Sequence, residues 1–592
     1  MAGAATPRST VARLNSLSGR QGIGRYGSGC RIPRRSKQDS VPGRQRPSQQ
    51  ARRAVPPLSR TPVGCAVRDP ARTIGLDDPP APPGLSGVHR CRPRCRRCGP
   101  PLEPPEPSGA RLTMAVGSSN DFDLIVLGAG TGGYSAAFRA AQLGLKVALV
   151  DEDKIGGTCL HRGCIPTKAL LESAAFTERI RHAKDFGIDA GDPVVDYARL
   201  AARRDQVVKR MWTGLKTLID KNKVTWIAGR GRLDGPTTVK VLMHGEDGTP
   251  GAGGERVLRG TDVILATGSR VKSLPGLEPD GKRIVTSDEV LAADSLPKDV
   301  IVVGAGAVGV EFASMYHDLG VKVTLLEYLP AVVPAEDREV SQLIERSFTR
   351  RGMTVMTSAR FDVKSVKAGK DRVKLTVGPE GKDATEISAE LLLVATGRAP
   401  NVENVGLETT RAEVEKGFVK VDGRMRTREP HLYAIGDIVG GLLLAHTAAH
   451  EGLVAAHVIA GDKDVHPIDY VQQPRATYCR PEIASIGLTE QQCQERGIPY
   501  KVGKVPFQAI AKAIIGGEYE GFAKVIGHKE TDDTLGIHLV GPHATDLVAE
   551  ASLAFQLDAT PWEIGGATHA HPTLAEVVGE AAMAVDGRSI NF

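Results

Sequence analysis

Two cysteines, five positions apart in the stretch Gly156 to Lys168, are the first candidates for chemistry in this 592-residue chain. A regular helix advances roughly 7.5 Å over five residues, beyond the ~7 Å between Cα atoms that a disulfide can bridge. A disulfide between Cys159 and Cys164 therefore requires the backbone to leave the regular helix, and Gly163 supplies that freedom. The helical pattern that follows places the thiols near a helix N-terminus, whose partial positive charge favours thiolate. Two unlinked structural thiols are the alternative.

A strand, a glycine-rich turn and a helix precede the cysteines. The apolar run Phe122 to Leu127 predicts a buried strand, Gly128-Ala129-Gly130-Thr131-Gly132-Gly133 follows it, and a second strand, Val147 to Val150, ends at Asp151. In this context the glycines let the backbone approach a pyrophosphate, and the helix N-terminus binds its charge. The acid accepts hydrogen bonds from an adenosine ribose. The unit predicts a dinucleotide site, with a nucleotide-free turn as the alternative, and its binding residues are Gly128, Gly130, Gly133 and Asp151.

The same unit recurs later in the chain. A strand at Val300 to Val303 leads into Gly304-Ala305-Gly306-Ala307-Val308-Gly309, and the next strand, Val323 to Leu326, ends at Glu327. In both units the acid follows the first glycine by 23 residues. A carboxylate here favours a free ribose 2′-hydroxyl, and no arginine directly follows Glu327, so NAD is predicted over NADP. The predicted binding residues are Gly304, Gly306, Gly309 and Glu327.

Further along, three strands end in turns. The segments Val263 to Gly268 and Leu393 to Arg398 echo one another, and plain connectors are their simplest role. The strand from Leu432 ends at Asp437, where ligands bind in open α/β sheets; capping the next helix is the alternative. From Gln472 the alternating patterns predict an α+β domain with its own core.

A histidine pair near the C-terminus is the last chemical feature. His569 and His571 lack a third ligand at convincing spacing, so no metal site is predicted. Pro572 restricts His571 to an extended conformation. Thr573 with Glu576 has the pattern of a capping box, the structural role for Glu576. Beside a cysteine pair, acid–base catalysis by His571 is favoured over a purely structural histidine.

Residues 1–113 differ in composition from the rest of the chain. They hold 20 Arg, one Lys, six acids, 18 Pro and five of the nine cysteines. With so little apolar patterning they are predicted to be disordered. Non-native sequence ahead of a true start at Met114 is favoured, with an organelle transit peptide or a nucleic-acid-binding segment as alternatives. Cys91, Cys95 and Cys98 lack a fourth zinc ligand at suitable spacing.

The body of the chain is mildly acidic and holds four cysteines. No apolar run reaches the ~18 residues of a membrane span, and neither candidate start carries a secretory segment. A cytoplasmic protein is therefore expected, in which a closely spaced cysteine pair is more often catalytic than structural.

Together and in this order, the two dinucleotide units, the cysteine pair and the terminal His-Pro-Thr resemble the class I pyridine nucleotide–disulfide oxidoreductases. Within that family the body is most similar to the dihydrolipoamide dehydrogenases. The resemblance implies an α/β fold with two Rossmann-like domains and a C-terminal α+β dimerisation domain. The implied boundaries are a disordered extension at 1–119, an FAD-binding domain at 120–271, an NAD-binding domain at 272–397, a central domain returning to the flavin at 398–470, and a dimerisation domain at 471–592.

The resemblance also implies a reaction. Protein-bound dihydrolipoamide is oxidised to lipoamide through a redox-active Cys159–Cys164 disulfide, and its electrons pass by way of FAD to NAD. Cys159 is the implied exchange thiol, and Cys164 is the implied thiol against the flavin. His571 is implied to take the proton from a substrate thiol, with Glu576 orienting its imidazole.

Cofactor contacts and partners follow from the same resemblance. Lys168, paired with Glu311, is implied beside the flavin ring, and Asp437 at the ribityl chain. A homodimer is implied in which His571 serves the active site of the other subunit. A lipoylated acyltransferase or carrier protein of a 2-oxo acid dehydrogenase or glycine cleavage complex is the implied partner, with no role for nucleic acid or membrane.

One departure from the family pattern leaves the substrate more open than the reaction class. Family members often carry Asn and a small residue where this chain has His161 and Arg162, which add positive charge. A reductase of another small disulfide, a diaphorase or transhydrogenase, and a non-catalytic binding protein recruited through the basic tail remain alternatives. Glu327 disfavours glutathione-type relatives, and the lack of cysteines after Cys493 disfavours mercuric and large thioredoxin reductases.

Overall fold

The computed structural model describes residues 121–379 and 383–592, within the compact unit Arg111–Phe592. The expectations for the extension at 1–119, for Met114 and for the cysteines of that segment therefore fall outside the described residues. Within the described ranges, no helix combines the length and the apolar character needed to cross a bilayer.

The first segment builds a parallel sheet whose strands run in the spatial order β3-β2-β1-β5, with β4 antiparallel to both β3 and β5. Its elements are β1 (Phe122–Leu127), α1 (Thr131–Gln142), β2 (Val147–Asp151), α2 (Gly157–Arg162), α3 (Cys164–Arg181), α4 (Tyr197–Lys221), β3 (Thr225–Leu233), β4 (Thr238–Met243), β5 (Glu255–Leu265) and β6 (Ser269–Val271). Leu124 and Val126 face one apolar core and Ile125 and Leu127 another. Burial on both faces explains the continuous apolar run.

The second segment builds another parallel sheet, in the order β10-β9-β8-β15-β7, next to an antiparallel group of β11 to β14. Its elements are β7 (Ile284–Val285), α5 (Ser287–Ala292), β8 (Asp299–Val303), α6 (Ala307–Asp318), β9 (Lys322–Leu326), α7 (Arg338–Arg350), β10 (Thr354–Met356), β11 (Ala359–Phe361), β12 (Lys367–Ala368), β13 (Val373–Pro379), β14 (Thr385–Ala389), β15 (Leu391–Val394) and β16 (Arg398–Pro400). β16 pairs with β6 and so ties the two segments together.

The third segment returns to the first sheet. It contains β17 (Val414–Glu415), β18 (Phe418–Val419), β19 (Leu432–Ala434) and α8 (Ala445–Ile459). β19 lies parallel to β5, with Leu432 opposite Val263. α8 packs on α1 so closely that a Cβ at Gly452 would clash with the carbonyl group of Gly132. Because β19 runs parallel to β5 and β1, Asp437 lies at the carboxyl end of the sheet, the end that carries the first glycine turn.

The C-terminal segment is an antiparallel sheet in the order β20-β21-β24-β23-β22, covered by helices. Its elements are β20 (Arg475–Thr477), β21 (Glu482–Gly487), α9 (Glu490–Glu495), β22 (Tyr500–Pro506), α10 (Ala511–Gly516), β23 (Phe522–His528), β24 (Thr534–Gly541), α11 (Ala544–Gln556), α12 (Pro561–Gly566) and α13 (Glu576–Ala584). Short 3-10 helices lie at Ala183–Phe186, Val363–Ser365, Leu407–Thr409, Gly436–Val439, Tyr470–Gln472 and Phe507–Ala509. The predicted fold class, with two Rossmann-like sheets and an α+β domain, is confirmed.

A buried ion cluster joins the second sheet to the C-terminal one. The ammonium of Lys524, whose side chain is fully buried, lies 3.0 Å from Asp337 and 2.9 Å from Glu339, and it also bonds Glu490. Burial opposes the charge of Asp337, but the neighbouring charges of His538 and Lys524 hold its pKa below the ordinary value. The cluster fixes the start of α7 against β23.

Candidate active site

The predicted break in the helix at the cysteine pair is confirmed. α2 ends at Arg162 and α3 begins at Cys164, with Gly163 between them at φ −146° and ψ −118°, outside the helical region. This break brings the Cα atoms of Cys159 and Cys164 to 4.7 Å, and the two cysteines form a disulfide. A Cβ at Gly163 would lie 2.9 Å from the carbonyl oxygen of Thr158, so the turn requires glycine.

The disulfide segment is seated on the first glycine turn. The N–H of Gly156 donates to the carbonyl oxygen of Ala129 at 2.9 Å. Gly157 has a φ of +57°, and a Cβ there would lie 2.7 Å from the Cα of Gly130. Cys164 is the first residue of α3, where the helix dipole favours negative charge on sulfur. The redox pair and the first dinucleotide turn thus form one structural unit.

The glycines of the first turn divide into two groups. A side chain at Gly128 would clash with the carbonyl group of Ala266, and one at Gly133 with the carbonyl oxygen of Gly128, so the packing of the protein requires both glycines. At Gly130, by contrast, an added Cβ would have no heavy atom of the described residues within 4 Å. Protein packing does not explain this glycine, whereas close approach of a ligand does.

The second turn repeats the arrangement. A side chain at Gly304 would clash with the carbonyl group of Ala395, and one at Gly309 with that of Gly304, while Gly306 has no heavy atom within 4 Å of an added Cβ. The helices that follow, α1 and α6, have no described side chain capping their first N–H groups. Uncapped helix N-termini beside open glycines suit pyrophosphate groups.

Each turn is braced by the acid that was predicted at its ribose site. Asp151 accepts from the N–H of Ala129 at 2.6 Å, and Glu327 accepts from the N–H of Ala305 at 2.7 Å. Burial raises the pKa of Asp151, and its two backbone hydrogen bonds oppose that rise. These acids therefore also shape the turn, a structural role that the sequence pattern did not predict.

The ion pair expected between Lys168 and Glu311 is present. The ammonium of Lys168, on α3, lies 2.8 Å from both carboxylate oxygens of Glu311, on α6. Glu311 is buried and Lys168 is partly exposed. A lysine one turn beyond Cys164 is thus held by a residue 143 positions away.

His571 and Glu576 also pair as expected. Nδ1 of His571 lies 2.9 Å from Glu576, and this hydrogen bond helps to keep the pKa of Glu576 below its ordinary value although burial opposes it. The imidazole is exposed. The predicted capping box is wrong: Glu576 accepts from the N–H of Thr573, but the hydroxyl of Thr573 donates to the carbonyl oxygen of Ala570 and caps no helix.

Comparison with known protein families identifies the family of this chain. Residues 122–452 match the family described as pyridine nucleotide-disulphide oxidoreductase, and residues 473–582 match the dimerisation domain of that family. The chain belongs to this family. A dihydrolipoyl dehydrogenase of Bacillus subtilis is 45% identical over 475 residues, which cover 80% of this chain and 100% of that protein. One from Zymomonas mobilis is 40% identical with the same coverage of both chains.

Two solved structures have a fold similar to that of this chain. LpdA from Mycobacterium tuberculosis superposes with a TM-score of 0.71 at 29% identity, over 78% of this chain and 98% of LpdA. The flavoprotein disulfide reductase RclA from Escherichia coli superposes with a TM-score of 0.68 at 23% identity, over 78% of this chain and 99% of RclA, and shows likeness of fold. Proteins of this family use FAD and NAD, and the two open glycine turns described above fit both dinucleotides.

Asp437 has partners that the sequence did not reveal. Ser269 donates a hydrogen bond to Oδ2 of Asp437, and the guanidinium of Arg398 lies 2.6 Å from the hydroxyl of Ser269. Both residues belong to the paired strands β6 and β16. The helix-cap alternative for Asp437 is wrong, because its side chain caps neither the 3-10 helix Gly436–Val439, in which it lies, nor α8. The second echoing segment, 393–398, thus contributes Arg398 to this group, and Ser269 directly follows the first, 263–268.

A buried glutamate supports the same turn from the other side. Glu451 on α8 accepts from the N–H of Gly436 and from the hydroxyl of Tyr470, the latter at 2.8 Å. Burial raises its pKa to about 7, with the charge of Asp437 adding to the rise and the two hydrogen bonds opposing it. Glu451 is the single acid of α8, and this was its only signal in the sequence.

The departure at residues 161 and 162 is accommodated locally. His161 lies 2.9 Å from the carbonyl oxygen of Ile155, and its ring meets that of Trp212 edge-on. Arg162 forms an ion pair with Asp153 at 2.9 Å. The positive charge of Arg162, at the end of α2, is thus partly compensated by an aspartate nine residues earlier.

A cation that the local sequence could not reveal lies beside the residue that follows Glu327. The guanidinium of Arg360, on β11, stacks 3.6 Å from the ring centre of Tyr328, the residue after Glu327. Strand β11 reaches this point because the N–H of Ala359 donates to the carbonyl oxygen of Glu327. The preference for NAD accordingly rests on the carboxylate of Glu327 rather than on the absence of arginine.

Proposed function

We propose that this protein is a dihydrolipoyl dehydrogenase, an FAD-containing enzyme that oxidises protein-bound dihydrolipoamide to lipoamide and reduces NAD. The observation that carries the proposal is the Cys159–Cys164 disulfide seated on the first dinucleotide turn. The names of the curated relatives from Bacillus subtilis and Zymomonas mobilis, and the full coverage of both, support the choice of substrate.

Two sets of residues would hold the dinucleotides. The FAD set is Gly128, Gly130, Gly133, Asp151, Lys168, Glu311 and Asp437, and the NAD set is Gly304, Gly306, Gly309 and Glu327. Open space at Gly130 and Gly306, and the uncapped starts of α1 and α6, suit a pyrophosphate at each turn. When bound, FAD supplies a two-electron carrier between the sulfur pair and the nicotinamide.

The cysteines carry out thiol–disulfide exchange. A substrate thiolate attacks the sulfur of Cys159, the disulfide bond breaks, and Cys164 leaves as thiolate. The second substrate thiolate then attacks the mixed disulfide, which releases cyclic lipoamide and leaves two electrons on the reduced cysteine pair. Cys164, at the start of α3, is the better placed of the two to remain ionised.

His571 and Glu576 act on the proton of the substrate thiol. Thiolate is the attacking species, so a base must first take the proton from the substrate thiol. When Nδ1–H of His571 donates to the carboxylate of Glu576, Nε2 carries the lone pair that can accept that proton, and the carboxylate stabilises the imidazolium that results. In a homodimer formed through the dimerisation domain, the exposed His571 would complete the active site of the other subunit.

The organisation and partners proposed follow from this assignment. The domains are FAD-binding at 120–271, NAD-binding at 272–397, central at 398–470 and dimerisation at 471–592. The substrate is carried by a separate lipoylated acyltransferase or carrier protein of a 2-oxo acid dehydrogenase or glycine cleavage complex. The enzyme works in the cytoplasm.

A substrate panel tests the proposal. Purified protein loaded with FAD is assayed with dihydrolipoamide in the presence of NAD or NADP, and with oxidised glutathione and related disulfides in the presence of NADH or NADPH. We expect rapid NAD reduction by dihydrolipoamide, with NADP a poor acceptor because of Glu327. Faster turnover of another disulfide, or turnover that survives loss of both cysteines, would contradict the assignment.

A further inference from the structure

The ion pair between Lys168 and Glu311 has a third partner, which comes from the C-terminal domain. The backbone N–H of Tyr478 donates to Oε1 of Glu311 at 2.9 Å. The ring of the same tyrosine lies under the ammonium of Lys168, 4.7 Å from nitrogen to ring centre. One residue, directly after β20, therefore contacts both members of the pair.

The segment that carries Tyr478 is anchored to α6. The N–H of Arg480 donates to the hydroxyl of Ser314 at 3.0 Å, and its guanidinium lies 3.1 Å from both carboxylate oxygens of Asp318. Glu311, Ser314 and Asp318 follow one another along the same helix. The position of the tyrosine ring is thus set by the docking of the C-terminal domain on α6.

These contacts leave the ammonium with few alternative positions. Glu311 binds it from one side with two oxygens at 2.8 Å, and the aromatic face of Tyr478 attracts it from another. At a partly exposed site such a cation–π contact biases an equilibrium by about two- to fivefold. Without the ring, water would compete for a lysine whose side chain is 31% exposed.

We propose that Tyr478 is a positioning residue, which holds the ammonium of Lys168 where its charge stabilises the reduced form of the bound flavin. The proposal rests on the proposed function, since it takes the neighbour of Lys168 to be FAD. It gives the C-terminal domain a part in setting the redox balance of its own chain, besides dimerisation and the donation of His571.

The test is an equilibrium measurement on the flavin-loaded full chain. Both Cys159 and Cys164 are replaced by serine, so that the flavin alone takes up electrons, and the ratio of reduced to oxidised flavin is read by absorbance at fixed NADH/NAD ratios. We expect Tyr478→Leu and Tyr478→Met to lower that ratio about two- to fivefold. Tyr478→Phe keeps the ring and should match the parent protein.

A double-mutant cycle separates positioning from general structural damage. In a Lys168→Met background, replacement of Tyr478 by Leu or Met should cause no further shift, because the charge on which the ring acts is gone. Tyr519→Leu, which removes a tyrosine of similar exposure from the same domain, is the matched control and should leave the ratio unchanged. The Met variant preserves side-chain bulk should the Leu variant fail to fold.

The outcomes distinguish this inference from the proposed function. If the parent protein takes up flavin and NADH reduces it, but the Leu and Met variants behave like the parent, Tyr478 has no positioning role and the proposed function stands. An equal shift with and without Lys168 also overturns the inference. A parent protein that takes up no flavin overturns both.

Discussion

Gly130 offers a substitution that separates folding from cofactor binding. Its φ of −67° and ψ of −176° are values that alanine adopts freely, and an added Cβ would have no heavy atom within 4 Å. Replacing glycine by alanine at a compatible position stabilises a protein by about 0.4–1 kcal/mol, because the unfolded chain loses freedom. We therefore expect Gly130→Ala to fold at least as stably as the wild type.

The same methyl group should weaken FAD binding. It would occupy the space through which a pyrophosphate approaches the start of α1. An extra methyl in a close-packed contact costs about 1–3 kcal/mol, which corresponds to a dissociation constant larger by about 5- to 150-fold. Gly306→Ala, whose φ of −72° and ψ of −174° are nearly the same, should instead spare FAD and weaken NADH binding by a similar factor.

The assay compares three variants with the wild type. Denaturant unfolding gives stability, titration of the flavin-free protein with FAD gives one affinity, and the concentration dependence of flavin reduction by NADH gives the other. Gly214→Ala in α4 is the matched control, because its added Cβ also meets no heavy atom within 4 Å and lies outside both turns. It should retain both affinities.

Two results would refute this reasoning. Wild-type FAD affinity in Gly130→Ala would show that no ligand lies close to that glycine. Loss of FAD from Gly306→Ala, with NADH binding intact, would show that the two turns have been assigned to the wrong dinucleotides.

Four further predictions follow from the site and its supports. Cys159→Ser should keep FAD but lose NAD-linked oxidation of dihydrolipoamide, and undiminished turnover would rule out the disulfide mechanism. His571→Gln should lower lipoamide turnover about 10²–10⁴-fold while stopped-flow reduction of the flavin by NADH persists; equal loss of both would assign the histidine another role. Lys524→Met should lower the free energy of unfolding in urea by about 3–5 kcal/mol, because it leaves Asp337 charged and buried without its lysine. Since the pKa of Glu451 rises from 4.5 to about 7 on folding, the folded protein binds more protons between those values, and its stability should fall as the pH rises across that window. Glu451→Gln should remove this dependence and add about 1–3 kcal/mol of stability at pH 8; an unchanged pH profile would count against the raised pKa.

Much of the site could be predicted because its signals are local. The strand–turn–helix units are read from apolar runs and glycines that lie within some 30 residues of one another. The break at Gly163 followed from the reach of a disulfide and the rise of a helix. Thr573 shows the limit of such local patterns. Its spacing from Glu576 is that of a capping box, but α13 begins only at Glu576, so no helix starts directly after Thr573.

The rest of the site depends on contacts between distant parts of the chain. Ser269 holds Asp437 from 168 positions away, and Tyr478 reaches Glu311 across 167. No local pattern records such partners, because they meet only after β19 has joined the first sheet and the C-terminal domain has docked on α6.

The sequence alone determined which two cysteines can form a redox-active disulfide and where two dinucleotides can approach the backbone. It could do so because the steric limits on glycine and the reach of a disulfide act over a few residues. Only the tertiary structure decided which further groups surround those places. Ser269 at Asp437 and Tyr478 at the Lys168–Glu311 pair come from segments more than a hundred residues away, which only packing brings together.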